Sequence, residues 1–299
     1  MIARQQPRIP IQFMTSTRLL FCLLVAPLVA SAQQDFDKVQ IKSTPVAGSV
    51  YMFEGSGGNI GVSAGPDGLL IVDDQFAPLA EKIEAALQKL DKGSLKFVLN
   101  THWHGDHTGG NAHFGRVANI IATANVRKRL LAQADTAKEA LPVVTFEDGL
   151  SVHFNGEEIR VVALGPGHTD GDAVIFFTKS GVVHMGDQFF NGMFPFVDLS
   201  SGGDVAGYVK NVGAMLQKIP DDAKVIPGHG PLATKADLQK FHQMLVATTD
   251  IVRKQIDAGK SLEQVKAAGL PEDWSSWGKG FIKTDRWIET IYKSFTDKH

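Results

Sequence analysis

The chain of 299 residues holds a single cysteine, Cys22, in a segment unlike the rest. From residue 33 on there is no thiol, so disulfides, a cysteine nucleophile and cysteine metal ligands are all excluded there. A surplus of one charge is missing too. Thirty basic and 32 acidic residues leave a formal net charge of −2, and no basic patch stands out, so a nucleic-acid partner has no electrostatic case. Long apolar runs are scarce: the run from Leu19 to Ala30 is almost wholly apolar but too short to span a bilayer.

That short run has a recognisable setting. Arg4, Arg8 and Arg18 are the only charged side chains among residues 1–32, and Ala30-Ser31-Ala32 follows the apolar stretch. A basic start, a short apolar run and a small-x-small site describe a secretory signal peptide cleaved after Ala32, with Met14 an alternative start. Phe21 before Cys22 makes a poor lipid-attachment site. The expectation is an exported, periplasmic or secreted protein, free of the membrane after cleavage. Residues 33–299 would then form one domain; 43% hydrophobic and 21% charged residues suit an ordinary globular fold.

Apolar patterning predicts strands at Val46–Phe53, Asn59–Ala64 and Leu69–Val72, the last two joined by the turn Pro66-Asp67-Gly68. A helix is expected at Leu79–Leu90, a strand at Leu95–Leu99, another at Ala118–Ala122 and a helix at Ala124–Ala132. A second cycle offers strands at Val143–Phe146, Leu150–Phe154, Ile159–Leu164, Ala173–Thr178, Val182–Met185 and Ala223–Ile226. Its helices are expected at Val205–Ile219, Leu238–Ala258 and Thr284–Phe295. Each half runs strands first and helices after, which two face-to-face sheets with helices outside would satisfy.

Four segments directly after predicted strands hold the unusual residues: Asn100-Thr101-His102-Trp103-His104-Gly105-Asp106-His107, Gly165-Pro166-Gly167-His168-Thr169-Asp170-Gly171-Asp172, Met185-Gly186-Asp187 and Pro227-Gly228-His229-Gly230. Sites in layered α/β folds gather at the carboxyl ends of strands. His102 and His104 lie two apart, so in extended backbone they point the same way and can grip one ion. Asp106 and His107 follow Gly105, where the chain can turn towards a neighbouring ion. Imidazole and carboxylate suit zinc, with iron or manganese possible. His168 or His229 alone would read as a hydrogen-bonded loop histidine, but beside the HxHxDH cluster each becomes a candidate ligand. His113, His153, His184, His242 and His299 lack such a setting and read as structural or surface residues. Asp73 at a strand end is a candidate brace for the His loop, and Asp170 and Asp172 read as loop caps.

These motifs, HWHGDHTGG, GPGHTDGD, MGD and PGHG, are similar in order and spacing to those of the metallo-β-lactamase superfamily, from about Val46 to Leu232. The resemblance implies an α/β fold, the αβ/βα four-layer sandwich, with the site at the sheet edge. It also implies two metal ions, most simply Zn2+. By position, His102, His104 and His168 resemble the ligands of the first ion and Asp106, His107 and His229 those of the second, while Asp187 resembles a carboxylate bridging both. That set is like the glyoxalase II branch; Met185-Gly186-Asp187 supplies no cysteine of the kind one β-lactamase subclass uses.

The chemistry expected of such a site is attack of a hydroxide bridging the ions on a carbonyl carbon, with Asp106 also accepting a hydrogen bond from the water and aiming it. The small-molecule substrate would be a β-lactam-like cyclic amide or ester; a thioester or lactone is the rival, and a mono-iron persulfide-type dioxygenase a third reading. The pattern Gly61-Val62-Ser63-Ala64-Gly65 lacks the strand–turn–helix context of a serine nucleophile. Gly55, Gly57 and Gly58 read as a mobile hairpin tip able to close over the metals. Phe189, Phe190, Phe194 and Phe196 either line an apolar pocket or fill the core. The stripe Trp287, Ile288, Ile291, Tyr292 and Phe295 reads as helix packing.

Overall fold

The alternating strands of the first half form a seven-stranded sheet: β1 (Lys42–Ala47), β2 (Val50–Glu54), β3 (Ile60–Gly65), β4 (Gly68–Val72), β5 (Leu95–Leu99), β6 (Asn119–Thr123) and β7 (Val144–Phe146), in that order across the sheet. β1 to β4 pair antiparallel, and β4 to β7 parallel. The second sheet has six strands: β8 (Gly149–Phe154), β9 (Glu157–Ala163), β10 (Ala173–Phe177), β11 (Val182–His184), β12 (Lys224–Ile226) and β13 (Ala233–Thr234), in consecutive order. This computed structural model describes Met1 and residues 35–90 and 93–297. The signal-peptide reading of residues 1–32 and His299 lie, Met1 aside, outside the described residues. From Asp35 on the chain belongs to one compact unit.

Period-two alternation explains the layering. On β4, Leu70 and Val72 point into a core shared with Ile159, Ile175 and Phe177 of the other sheet. Leu69 and Ile71 point the opposite way, against Ile83 and Leu87 of α1 (Ala80–Leu90). On β10, Ile175 and Phe177 face between the sheets while Val174 faces a third cluster with Tyr208, Phe241 and Trp287. Each such side chain, fully removed from water, contributes about 1.5–3 kcal/mol. The first half also carries α2 (Gly105–Thr108), α3 (Asn111–Phe114) and α4 (Ala124–Leu131). The second sheet is covered by helices from α5 (Val205–Lys218), α6 (Lys235–Asp257), α7 (Leu262–Ala268) and α8 (Thr284–Thr296). The result is the helix–sheet–sheet–helix sandwich that the motifs imply.

The structure changes some of the expected elements. The strand expected at Val46–Phe53 is broken by a turn at Gly48, whose φ of +54° favours glycine, so Val46 belongs to β1 and the rest to β2. Pro45, which has no N–H to donate, is accommodated because β1 is an edge strand. α7 was not anticipated. It starts on a capping box in which the Ser261 hydroxyl accepts from Gln264 N–H and the Gln264 side chain returns to Ser261 N–H. Ser63 sits buried on β3 and accepts a hydrogen bond from Asn155 at 2.9 Å, a structural setting with no elbow. Among the described residues no helix is long and apolar enough to cross a membrane.

Candidate metal centre

Strands β5, β9, β11 and β12 each release one motif at their carboxyl ends, and the seven candidate ligands meet there as two groups. His102, His104, His168 and Asp187 form one, and Asp106, His107 and His229 the other; within each, one donor atom per residue lies within 4.8 Å of every other. His102 Nε2 and His168 Nε2 stand 3.1 Å and 2.9 Å from His104 Nδ1. In the second group His107 Nε2 lies 3.4 Å from His229 Nε2, and Asp106 Oδ2 lies 3.3 Å from the latter. Asp187 joins the two. Its Oδ2 is 3.4 Å from His168 Nε2 and 3.8 Å from His102 Nε2, while its Oδ1 is 3.1 Å from His107 Nε2 and 3.4 Å from His229 Nε2.

The far nitrogens settle which ring atoms are free. His168 Nδ1 lies 2.7 Å from the Phe196 carbonyl, which can only accept, so Nδ1 donates and Nε2 presents its lone pair. His104 Nε2 donates to Asp198 Oδ2 at 2.9 Å, leaving Nδ1 free. Thr101 Oγ1 gives its proton to Asp73 at 2.7 Å and so accepts from His102 Nδ1 at 3.0 Å. His107 Nδ1 donates to Asp73 Oδ2 at 2.7 Å. In the first group, neutral rings held in this way aim bare lone pairs at one another. Asp187 Oδ1 is buried and makes no well-angled hydrogen bond to any of them. Converging lone pairs and an orphaned buried carboxylate oxygen are what a cation resolves, and the nitrogen and oxygen donors fit zinc.

Electrostatics agree with that fit. Burial pushes His102 well below its ordinary pKa and His168 down to about 4, so both favour the neutral, ligating form. Burial opposes the charge on His107 and His229 as well, but the neighbouring carboxylates, Asp187 foremost, override it. They raise His107 well above its ordinary value and His229 to about 9. Burial would raise Asp187, yet His229, His107, His168 and His102 together hold it well below the carboxylate range. A cation entering the second group therefore displaces protons.

The surroundings brace the ligands. Asp73 is fully buried and also accepts Thr101 N–H at 2.7 Å, so one carboxylate orients both His102, through Thr101, and His107, as its position predicted. Asp172 caps its loop by accepting from Thr169 and from Gln188, and Asp170 pairs with Arg129. His184 bonds only main chain, His113 pairs with Glu84 and His242 meets a carbonyl, all structural as expected.

The glycine-rich tip between β2 and β3 is not a free flap. Gly58 N–H donates to Asp106 O at 3.0 Å, Asn59 bonds Pro227, Gly228 and Gly230 carbonyls, and Gln75 ties Gly58 and Ser56. A Cβ on Gly58 would overlap the His107 ring, and one on Gly228 would overlap the Asp187 carboxylate. These glycines are there for close approach.

Of the four phenylalanines, Phe189 and Phe194 are wholly core. Phe190, also buried, stacks on His229 with centroids 5.0 Å apart, and half-buried Phe196 lies 5.8 Å from His104. Asp198 was not anticipated as the partner of His104, which lies 94 positions earlier. Burial opposes its charge, but the hydrogen bonds from His104, Ser200 and Ser201 hold it well below the usual range. Phe281 was not anticipated either: its ring stands 5.8 Å from His229.

The family model of the metallo-beta-lactamase superfamily matches residues 43–229, more than half of the chain, and ends on the last of the seven candidate ligands. The chain belongs to the metallo-beta-lactamase superfamily, a family of hydrolases. It is 30% identical over 137 residues to the metallo-beta-lactamase type 2 of Bacteroides fragilis, covering 45% of this chain and 52% of that protein. It is 32% identical over 131 residues to a hydroxyacylglutathione hydrolase of Gloeobacter violaceus, covering 42% and 49%. The match thus spans about half the length of these curated relatives. In fold it is similar to a metallo-beta-lactamase from Pontibacter korlensis, with a TM-score of 0.61 at 19% identity over 69% of this chain and 99% of that one.

Proposed function

We propose that the chain is an exported dinuclear zinc hydrolase that cleaves a carbonyl compound, with a β-lactam-like cyclic amide or ester as the first substrate to test. The carrying observation is Asp187, whose two oxygens divide between the two ligand groups. His102, His104 and His168 would hold one ion, Asp106, His107 and His229 the other, and Asp187 would touch both. When bound, the pair supplies Lewis acidity, lowering the pKa of a water towards about 7 and polarising the carbonyl. Asp106, the most exposed carboxylate of the site, is placed to accept a hydrogen bond from the attacking water and fix its direction. Asp73 and Asp198 keep the rings in the ligating tautomer. No protein nucleophile is needed, in keeping with a chain that has no cysteine after residue 22.

A second reading, hydrolysis of a lactone or thioester, draws on the same Asp187, because that ligand set is like the glyoxalase II branch, and on the similarity to hydroxyacylglutathione hydrolases. Export, supported by the basic and apolar pattern of residues 1–32, places the site in the periplasm or outside the cell and away from a cytosolic thiol pool. The test is metal analysis of the purified chain with nitrocefin, lactone and thioester panels. Zinc with turnover on one of them is expected. One iron per chain with oxygen uptake, or zinc without hydrolysis of any of them, overturns the proposal.

A further inference from the structure

A short segment before α8, beyond the family match, reaches the metal centre. Phe281 lies just before α8 and is 57% exposed, although its ring is 5.8 Å from both Phe190 and the ligand ring of His229. Its position is fixed from both sides. Trp277 O accepts from Phe194 N–H at 3.0 Å, tying the segment to the loop that follows Asp187, and Ile282 is buried in the core. Among the described residues, the other exposed large hydrophobics beyond the terminal Met1 are aliphatic side chains: Val117, Leu131, Val143, Val144 and Val246. Phe281 is the aromatic one, and it stands at the site. On the other flank, Phe196 lies 5.8 Å from His104 and 5.9 Å from His168, its carbonyl held by His168.

We infer that Phe281, continuous with Phe190 over His229, forms an apolar subsite for an aryl or alkyl substituent borne by the substrate next to the scissile bond, on the side of the Asp106–His107–His229 group. The subsite rests on the hydrolase reading for its substrate but not for its existence. An aromatic face half in water gains most by taking an apolar group, and several methylenes laid on it are worth at least about tenfold in selectivity. The substrate class is accordingly a hydrophobic carbonyl compound, not a small polar one.

The test pairs kinetics with binding on the zinc-loaded chain. γ-Nonalactone and γ-butyrolactone differ only by a pentyl substituent. Wild type should favour the former in kcat/KM by at least about tenfold, Phe281→Ala should cut that ratio severalfold mainly through KM, and Phe281→Leu should restore most of it. By isothermal titration, 4-phenylbutyrate should bind more tightly than butyrate, and Phe281→Ala should remove the difference. Equal rates on both lactones, or a preference that survives Phe281→Ala, overturn the subsite and leave the hydrolase standing. Failure to turn over either lactone, with Phe281-dependent binding of 4-phenylbutyrate, overturns lactone hydrolysis and leaves the subsite standing. Equal binding of the two carboxylates overturns the subsite. Because Phe281 packs little of its surface, Phe281→Ala should give the wild-type circular dichroism spectrum.

Discussion

Asp198 illustrates what a side chain does at a distance from the reacting atoms. Its Oδ2 receives the His104 Nε2 proton, and its Oδ1 is held by Ser200 and Ser201, so it fixes both the tautomer and the angle of one ligand. Asp198→Asn should keep the fold and weaken zinc affinity about 10- to 100-fold, measured by competition with a chelator; unchanged affinity would remove Asp198 from the site. The candidate ligands were legible in the sequence, because HxHxDH packs four donors into six positions and Gly-His-Thr and Gly-His-Gly follow strands. Asp198 was not. It sits in a Ser/Gly-rich loop where an aspartate reads as an ordinary turn cap, and only the folded loop brings it to His104.

Among elements, the β2–β3 tip carries the sharpest steric demand. Gly58 lies against the His107 ring and donates to Asp106 O, so the tip buttresses the ligands it was expected to cover. Gly58→Ala should push the His107 ring aside, lowering zinc uptake and turnover at least about tenfold and costing about 1–3 kcal/mol in urea unfolding. Wild-type activity in that variant would show that the tip is free to move. Most strands were readable as short continuous apolar runs, since both faces of β4 and β10 are buried by different layers. The split of β1 from β2 was missed because Gly48-Ser49 interrupts an otherwise apolar run without a proline or an Asn-Gly pair. The capping box at Ser261 stands in the sequence, but the seven-residue helix it opens buries only Val265 and so shows no apolar periodicity like that of α6 and α8.

For the whole molecule, the two sheets and four layers follow from the order of elements, while the convergence of the C-terminal segment on the site does not. Nothing in the spacing of Trp277, Phe281 and Ile282 announces that one of them leaves the core for the metal centre's mouth. Because the ligand groups come from four strand ends across both sheets, bound metal should stabilise the entire fold. Removing it with a chelator should lower the Tm, and restoring excess zinc should recover about 3–4 kcal/mol of stability at concentrations 100 to 1,000 times the Kd. A Tm indifferent to chelation would mean that the groups do not hold an ion.

The most direct measurement is metal stoichiometry by elemental analysis of the purified chain and of Asp187→Ala after zinc loading and desalting. About two zinc ions per wild-type chain are expected, as for a two-metal site, with a clear loss of bound zinc and nearly all turnover in the variant while its circular dichroism is kept. One ion or none in the wild type, or undiminished zinc and turnover in Asp187→Ala, would contradict a centre in which a single carboxylate spans both ions.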